Sequence, residues 1–240
     1  MGENGKREAA LRFVEAFGDT LNESSIIGVG TGSTVSLVIE ELAVRGILEG
    51  KTIVATSLDS MYKLRSNGIL PAHPSAVASV DVYFDGADEV DMYGNMIKGR
   101  GAALYGEKMI AFRSKLNVFI IDESKLVESL GTKKPLPVEV HPWMIQTFLL
   151  WAEHKGLKPE PRRGGGRDGP VISDYGGVIV DLFFENGIED PRGLEEELTR
   201  VPGVVETGLF LGYTDYVVVG WDKGGGEIRS YKRTRGIHYR

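Results

Sequence analysis

The chain has 240 residues, of which 42% are hydrophobic and 26% charged, with a formal net charge of −6 and no cysteine. That length allows one large domain or two small ones, and the composition is ordinary for a soluble globular protein. The acidic balance argues against a broad basic face for nucleic acid, and the missing cysteines exclude a disulfide framework, a thiolate metal site and a cysteine nucleophile. Residues 1–21 are charged and carry no continuous apolar segment, and no later stretch has the length of a membrane span. The expectation is a cytoplasmic protein with neither nucleic acid nor membrane as partner.

Residues 6–17 carry Ala10, Leu11, Val14 and Phe17 at helical spacing, and 25–29 form a short β-prone run. After a glycine turn, Val35, Val38, Ile39 and Leu42 fall at i, i+3, i+4 and i+7, opposite Glu40, Glu41 and Arg45, until Gly46 ends the pattern. Strands are expected at 52–55, 80–84 and 118–121, and helices at 59–67 and 102–112. This alternation predicts an α/β fold, a Rossmann-like parallel sheet with helices on both faces. The pattern changes after Gly131. Residues 136–140 read as a strand, 142–154 as a helix, 171–184 as two strands joined at Gly176-Gly177, 193–200 as a helix and 204–209 as a strand. The order β-α-β-β-α-β predicts an inserted ferredoxin-like α+β domain. It is placed at 132–209, within a catalytic α/β domain formed by 1–131 and 210–240, because 216–220 read as a buried strand suited to the first sheet.

Three segments carry chemistry. Gly28-Val29-Gly30-Thr31-Gly32-Ser33-Thr34 follows a strand and opens a helix, where backbone N–H groups, the helix dipole and the Thr31, Ser33 and Thr34 hydroxyls suit a phosphate dianion. Ser33 stands where a dinucleotide fingerprint requires a third glycine, and no P-loop lysine follows. The competing reading is a tight turn with Ser33 as a helix N-cap. The second segment, Asp85-Gly86-Ala87-Asp88-Glu89-Val90-Asp91, places four carboxylates within seven residues at a strand end. They cannot all be ionised and buried without strong repulsion, so some must meet cations or polar ligands. Its spacing lacks the alternating ligands of a calcium loop, and Lys98 competes with a metal for the same carboxylates, so no metal site is expected. The third segment, Lys98-Gly99-Arg100-Gly101-Ala102-Ala103, keeps the approach to Glu107-Lys108 small and open. An ammonium group beside carboxylates, with a separate carboxylate on the next helix, is the equipment of a sugar-handling site. His73, His141, His154 and His238 show no metal-ligand spacing and are read as exposed or capping. Arg162, Arg163 and Arg167 beside Gly164-Gly165-Gly166 are read as a basic loop, Lys232, Arg233, Arg235 and Arg240 as a solvated tail, and Gly224-Gly225-Gly226 as an exposed loop.

Seven runs in order, GVGTGST at 28–34, ATS at 55–57, DGADEVD at 85–91, KGRGAALYGEK at 98–108, DESK at 122–125, PLPVEV at 135–140 and PGVVETGLF at 202–210, resemble the ribose-5-phosphate isomerase A family. The resemblance implies that Glu107 is the catalytic base and that Asp85, Asp88 and Lys98 surround an open-chain sugar. It further implies that Thr31, Gly32, Ser33 and Thr34, Gly86 and Ala87, Gly99, Arg100 and Gly101, and Lys125 complete the substrate site. It implies a sugar-phosphate substrate, no cofactor and a homodimer or homotetramer. A lysine near the family's site corresponds to Lys6. The sequence departs from the family pattern KGGGAAL at Arg100, which replaces the central glycine, and at Gly106, which stands where an arginine is expected. The rival readings are a phosphosugar-binding sensor and another phosphosugar enzyme, a lactonase or an amino-sugar deaminase; the Lys98 and Glu107 pattern favours the isomerase.

Overall fold

The computed structural model describes residues 2–164, 166 and 168–237; Gly165, Arg167, His238 and Arg240, named above, lie outside them. In chain order the elements are α1 (Glu3–Glu23), β1 (Ile26–Val29), α2 (Ser33–Val44), β2 (Thr52–Ala55), α3 (Leu58–Ser66), β3 (Val80–Asp85), β4 (Glu89–Val90), β5 (Met96–Ile97), α4 (Leu104–Phe112), β6 (Ser114–Asp122), β7 (Leu136–Val140), α5 (Ile145–His154), β8 (Lys158–Pro161), β9 (Val178–Phe183), α6 (Pro191–Thr199), β10 (Val204–Thr207), β11 (Leu209–Phe210), β12 (Tyr216–Gly220) and β13 (Gly226–Ser230). They divide into two units, one of Met1–Ala87, Gly106–Lys125 and Gly212–Arg240, the other of Asp88–Tyr105 and Leu126–Leu211.

The first unit is built on a sheet of order β13-β12-β6-β3-β1-β2, parallel apart from the β12–β13 hairpin. Its central strands are apolar on consecutive residues because helices cover both faces. The helical spacing read from the sequence turns Val35, Val38, Ile39 and Leu42 of α2 and Phe13 and Phe17 of α1 into one core with Ile27, Val29, Ile53, Phe84 and Ile120. The Phe13 and Phe84 rings lie 5.2 Å apart. Each such side chain contributes about 1.5–3 kcal/mol by leaving water. The pairings Val29↔Phe84, Asp85↔Phe119 and Gly220↔Asp122 align the carboxyl ends of β1, β3, β6 and β12 along one edge, where open α/β sheets bind ligands.

The second unit carries an antiparallel sheet of order β10-β7-β9-β8, with α5 and α6 completing the βαββαβ pattern, and a short three-stranded sheet β11-β5-β4. Leu136, Val138 and Val140 of β7 pack with Phe148, Ala152, Val180, Leu182 and Leu198.

Four local readings are corrected. The second strand of the ferredoxin-like pattern is Lys158–Pro161, not a segment near 171–176. Pro159 and Pro161 are tolerated because β8 is the sheet edge, and the same prolines make the stretch read as loop. Helix α1 continues through residues 18–23, burying Leu21. Gly226 belongs to β13 and pairs with Gly220. Arg233 is not solvated: its guanidinium donates to the carbonyls of Ser114 and Lys115 at 2.7 and 3.0 Å and lies 3.5 Å from Asp215.

Candidate active site

The glycine turn after β1 is held by Asp85. Asp85 and Tyr83 share a face of β3, two residues apart, so the Tyr83 hydroxyl reaches the Asp85 carboxylate. The N–H groups of Thr31 and Gly86 donate to Asp85 Oδ1 at 3.0 and 2.7 Å. Asp85 is fully buried, and a Cβ placed on Gly30 would fall 1.9 Å from its Cγ. Gly30 is therefore needed for the approach of a carboxylate of the protein itself, a constraint the glycine pattern does not reveal.

Ser33 is the first residue of α2 and is exposed; the N-cap is Gly32, at φ 129° and ψ 176°, a conformation essentially restricted to glycine. No side chain caps the helix, so the Ser33-cap reading is replaced by a helix start with no side-chain acceptor of its own. Sequence reasoning missed the hydroxyls around Thr31. Its Oγ1 lies 3.1, 2.7 and 3.2 Å from the hydroxyls of Thr56, Ser57 and Ser60, and Ser60 Oγ donates to the Gly30 carbonyl at 2.5 Å. The ATS run immediately after β2 was the available signal. Thr34 is half-buried, and Lys125 ends the single 3₁₀ turn that follows β6.

The four carboxylates of the acidic turn have different employments. Glu89 is fully buried and accepts the N–H groups of Gly131, Lys133 and Lys134 at 2.5, 2.5 and 2.6 Å, pinning the loop that leads into β7. Asp91 closes the β4–β5 hairpin, accepting the N–H groups of Tyr93 and Asn95 at 2.8 Å and the Asn95 side-chain amide at 3.0 Å. Both are structural. Asp85 and Asp88 are left as candidates for chemistry, Asp85 in the first unit and Asp88 in the second.

Lys98 is 2% exposed; its N–H donates to the Gly208 carbonyl at 2.9 Å and its ammonium lies 5.4 Å from the centre of the Phe210 ring. Gly99 is buried, while Arg100 and Gly101 are exposed. The Arg100 side chain, 71% exposed, sets its Nε 3.9 Å from Asp88 Oδ1, and its backbone N–H donates to Asp88 Oδ2 at 3.0 Å. Glu107, in the first turn of α4, is 3% exposed, unlike an ordinary glutamate on a helix surface. Ala87 and Gly86 are half-buried. Lys6 pairs with Glu3 at 3.1 Å on the first turns of α1. His73 and His141 accept the N–H groups of Ser75 and Trp143 at the starts of two 3₁₀ turns, and His154 Nδ1 lies 2.7 Å from the Leu150 carbonyl. Among the described residues no cluster of three histidine, aspartate or glutamate side chains is arranged to hold a metal ion.

A family model for ribose 5-phosphate isomerase A (phosphoriboisomerase A) matches residues 52–224. The chain belongs to this family. It is 45% identical to the ribose-5-phosphate isomerase A of Aeropyrum pernix, the match covering 96% of this chain and 97% of that one. Among solved structures, a D-ribose-5-phosphate isomerase in complex with phospho-erythronic acid superposes with a TM-score of 0.88 at 37% identity, covering 96% of this chain and 99% of that one. The Methanocaldococcus jannaschii ribose 5-phosphate isomerase A superposes with a TM-score of 0.83 at 35% identity, covering 94% and 97%. No helix among the described residues is long and apolar enough to cross a membrane.

Proposed function

We propose that the protein interconverts D-ribose 5-phosphate and D-ribulose 5-phosphate, with Glu107 moving the proton between C2 and C1. The observation that carries the reading is the burial of three charged residue types, Asp85, Lys98 and Glu107, at 0, 2 and 3% exposure in a chain of this family. Such groups are almost never fully buried unless they are paired or serve a site, and unlike the equally buried Glu89 these three are residues that the family resemblance links to substrate.

The chemistry follows from the groups. The furanose must open before its C2 proton is acidic, and Asp85 or Asp88 assists by exchanging a proton with the ring oxygen or the anomeric hydroxyl. Glu107 then removes the C2 proton of the aldehyde, giving an enediolate whose negative charge the Lys98 ammonium stabilises, helped by the amides of Gly99, Arg100 and Gly101. Return of the proton to C1, with transfer of the O2 hydroxyl proton to O1, completes the ketose without net redox change. The backbone amides at the start of α2, with Thr31, Gly32, Ser33 and Thr34, hold the phosphate, and Lys125, Gly86 and Ala87 complete the substrate's surroundings. General-base action contributes about 10²–10⁴-fold, so positioning and oxyanion stabilisation supply the remainder. The substrate is met free in the cytoplasm by a homodimer or homotetramer without metal or organic cofactor; the family resemblance and the acidic, cysteine-free composition support this.

The test is to incubate chelator-treated protein with ribose 5-phosphate and follow the ketose. Turnover without added metal is expected. Tight binding without turnover would make the protein a phosphosugar sensor, and activity that returns only with a divalent ion would overturn the metal-free mechanism.

A further inference from the structure

The arginines beside the 164–166 glycines read as a solvated basic loop, yet Arg162 is not solvated. Its side chain is 15% exposed and forms a two-pronged ion pair with Asp181 of β9, Nε to Oδ2 at 2.8 Å and Nη2 to Oδ1 at 2.5 Å. The remaining terminal nitrogen, Nη1, donates to the carbonyls of Gly99 and Arg100 at 2.8 and 2.9 Å. The guanidinium is itself fixed, because the Arg162 backbone N–H donates to the Ile179 carbonyl and its carbonyl accepts from Val171, at 2.8 and 2.7 Å. A planar fork anchored on a carboxylate thus grips two successive carbonyls of the segment that follows Lys98.

A trans peptide points its C=O and N–H in opposite directions. With the Gly99 carbonyl turned to Arg162, the Arg100 N–H of the same peptide is turned away from it, and that N–H is the group that donates to Asp88 Oδ2 at 3.0 Å. The segment does not relax into this shape unaided: Gly99 has φ 107°, and Ala102, with φ 57°, is the one non-glycine residue at positive φ among those described. The Ala102 N–H donates back to the Gly99 carbonyl at 3.0 Å, and the segment's start is tied by Lys98 N–H to the Gly208 carbonyl. We infer that the Arg162–Asp181 pair is a positioning device for the reaction, orienting the Gly99–Arg100 peptide so that it holds the Asp88 carboxylate in place for opening the sugar ring. This rests on the reading of Asp88 as a ring-opening group.

The device predicts a selective defect. Ribose 5-phosphate is cyclic and must be opened, whereas ribulose 5-phosphate has its 5-hydroxyl blocked by phosphate and is acyclic. Exchange of the C1 proton of ribulose 5-phosphate with deuterated water therefore uses Glu107 but not ring opening. Arg162→Lys keeps the charge but cannot form the fork and both carbonyl bonds together. The variant should lower kcat/KM for ribose 5-phosphate about 10-fold more than it lowers the exchange rate, since displacement of a catalytic group by about 1 Å is enough for losses of that size. Asp181→Asn, which keeps the shape and releases the fork, should show the same selectivity if Arg162→Lys proves insoluble. Asp88→Asn is the reference: equal loss of both reactions there would sink the ring-opening reading, while selectivity in Asp88→Asn and none in the Arg162 and Asp181 variants would sink the positioning device alone. Glu107→Gln should lower both reactions alike.

Discussion

Replacing Gly30 with alanine tests the packing of the glycine turn against Asp85. The added Cβ would lie 1.9 Å from Asp85 Cγ and 2.1 Å from Oδ1, and ordinary contact begins near 3.4 Å, so the two must separate by about 1.5 Å (3.4 − 1.9). Gly30 cannot simply retreat, because its N–H is tied to the Phe84 carbonyl at 2.9 Å. The carboxylate must move instead, and bonds of 3.0 and 2.7 Å from Thr31 and Gly86 do not survive such a shift. Hydrogen bonds to a charged group contribute about 1.5–3 kcal/mol each, so the two lost bonds, partly recovered by relaxation, cost about 3–5 kcal/mol. For a chain of this size that is a fall in Tm of about 10 °C. Misplacing Asp85 by more than 1 Å should also reduce kcat/KM by about 10²-fold. Calorimetry and a ketose-forming assay read the two effects. The double variant Gly30→Ala with Asp85→Ala removes the 1.9 and 2.1 Å contacts and leaves only the residue-85 Cβ, 2.5 Å away, so it should recover part of the stability that Gly30→Ala alone loses. A single variant with parental Tm and activity would refute the reasoning, as would additivity of the two substitutions within about 0.5 kcal/mol.

Glu89→Gln should separate structure from chemistry in the acidic turn. Its amide would face a backbone N–H where the carboxylate accepted three, so stability should fall by about 2–4 kcal/mol, while kcat/KM of the folded protein changes less than about 3-fold; a catalytic loss without a Tm change would reverse the assignment. Glu139 is fully buried, and that burial raises its pKa from the ordinary 4.5, against the opposing hydrogen bonds of Ser173 and Gly177. The native state then holds a proton that the unfolded chain releases, so Glu139 contributes stability that is full below pH 4.5 and is lost as pH rises through the raised value. Glu139→Gln should flatten this part of the stability profile in denaturant melts between about pH 4 and 7, and an unchanged slope would show that Glu139 does not titrate there.

The alternation of strands and helices was legible because both periods are written into adjacent residues: Val35, Val38, Ile39 and Leu42 need no distant partner to declare a helix face. What stayed hidden depends on partners far along the chain. Glu89 and Asp85 look alike in DGADEVD, and only the backbone amides 42 to 45 residues beyond Glu89 make one of them structural. Arg162 looks like a loop cation until β9 brings Asp181, 19 residues on, against it. Strand β8 was hidden by its two prolines, which an edge position permits. The close approach at Gly30 stayed hidden as well, because the approaching group is the Asp85 side chain from another strand of the sheet, which no local pattern encodes. The candidate residues Asp85, Lys98 and Glu107 are marked in the sequence by the motifs DGADEVD and KGRGAALYGEK, whereas their burial shows only in the fold.

The central claim is that Glu107 is the base that moves the proton between C2 and C1. The most direct measurement compares Glu107→Gln with the parent for both turnover of ribose 5-phosphate and C1 proton exchange of ribulose 5-phosphate in deuterated water, after matching Tm and circular dichroism. Removal of a general base predicts a loss in kcat of about 10²–10⁴-fold, with exchange falling in parallel and folding little changed. A well-folded Glu107→Gln protein that still turns over and exchanges near the parental rate would contradict the account.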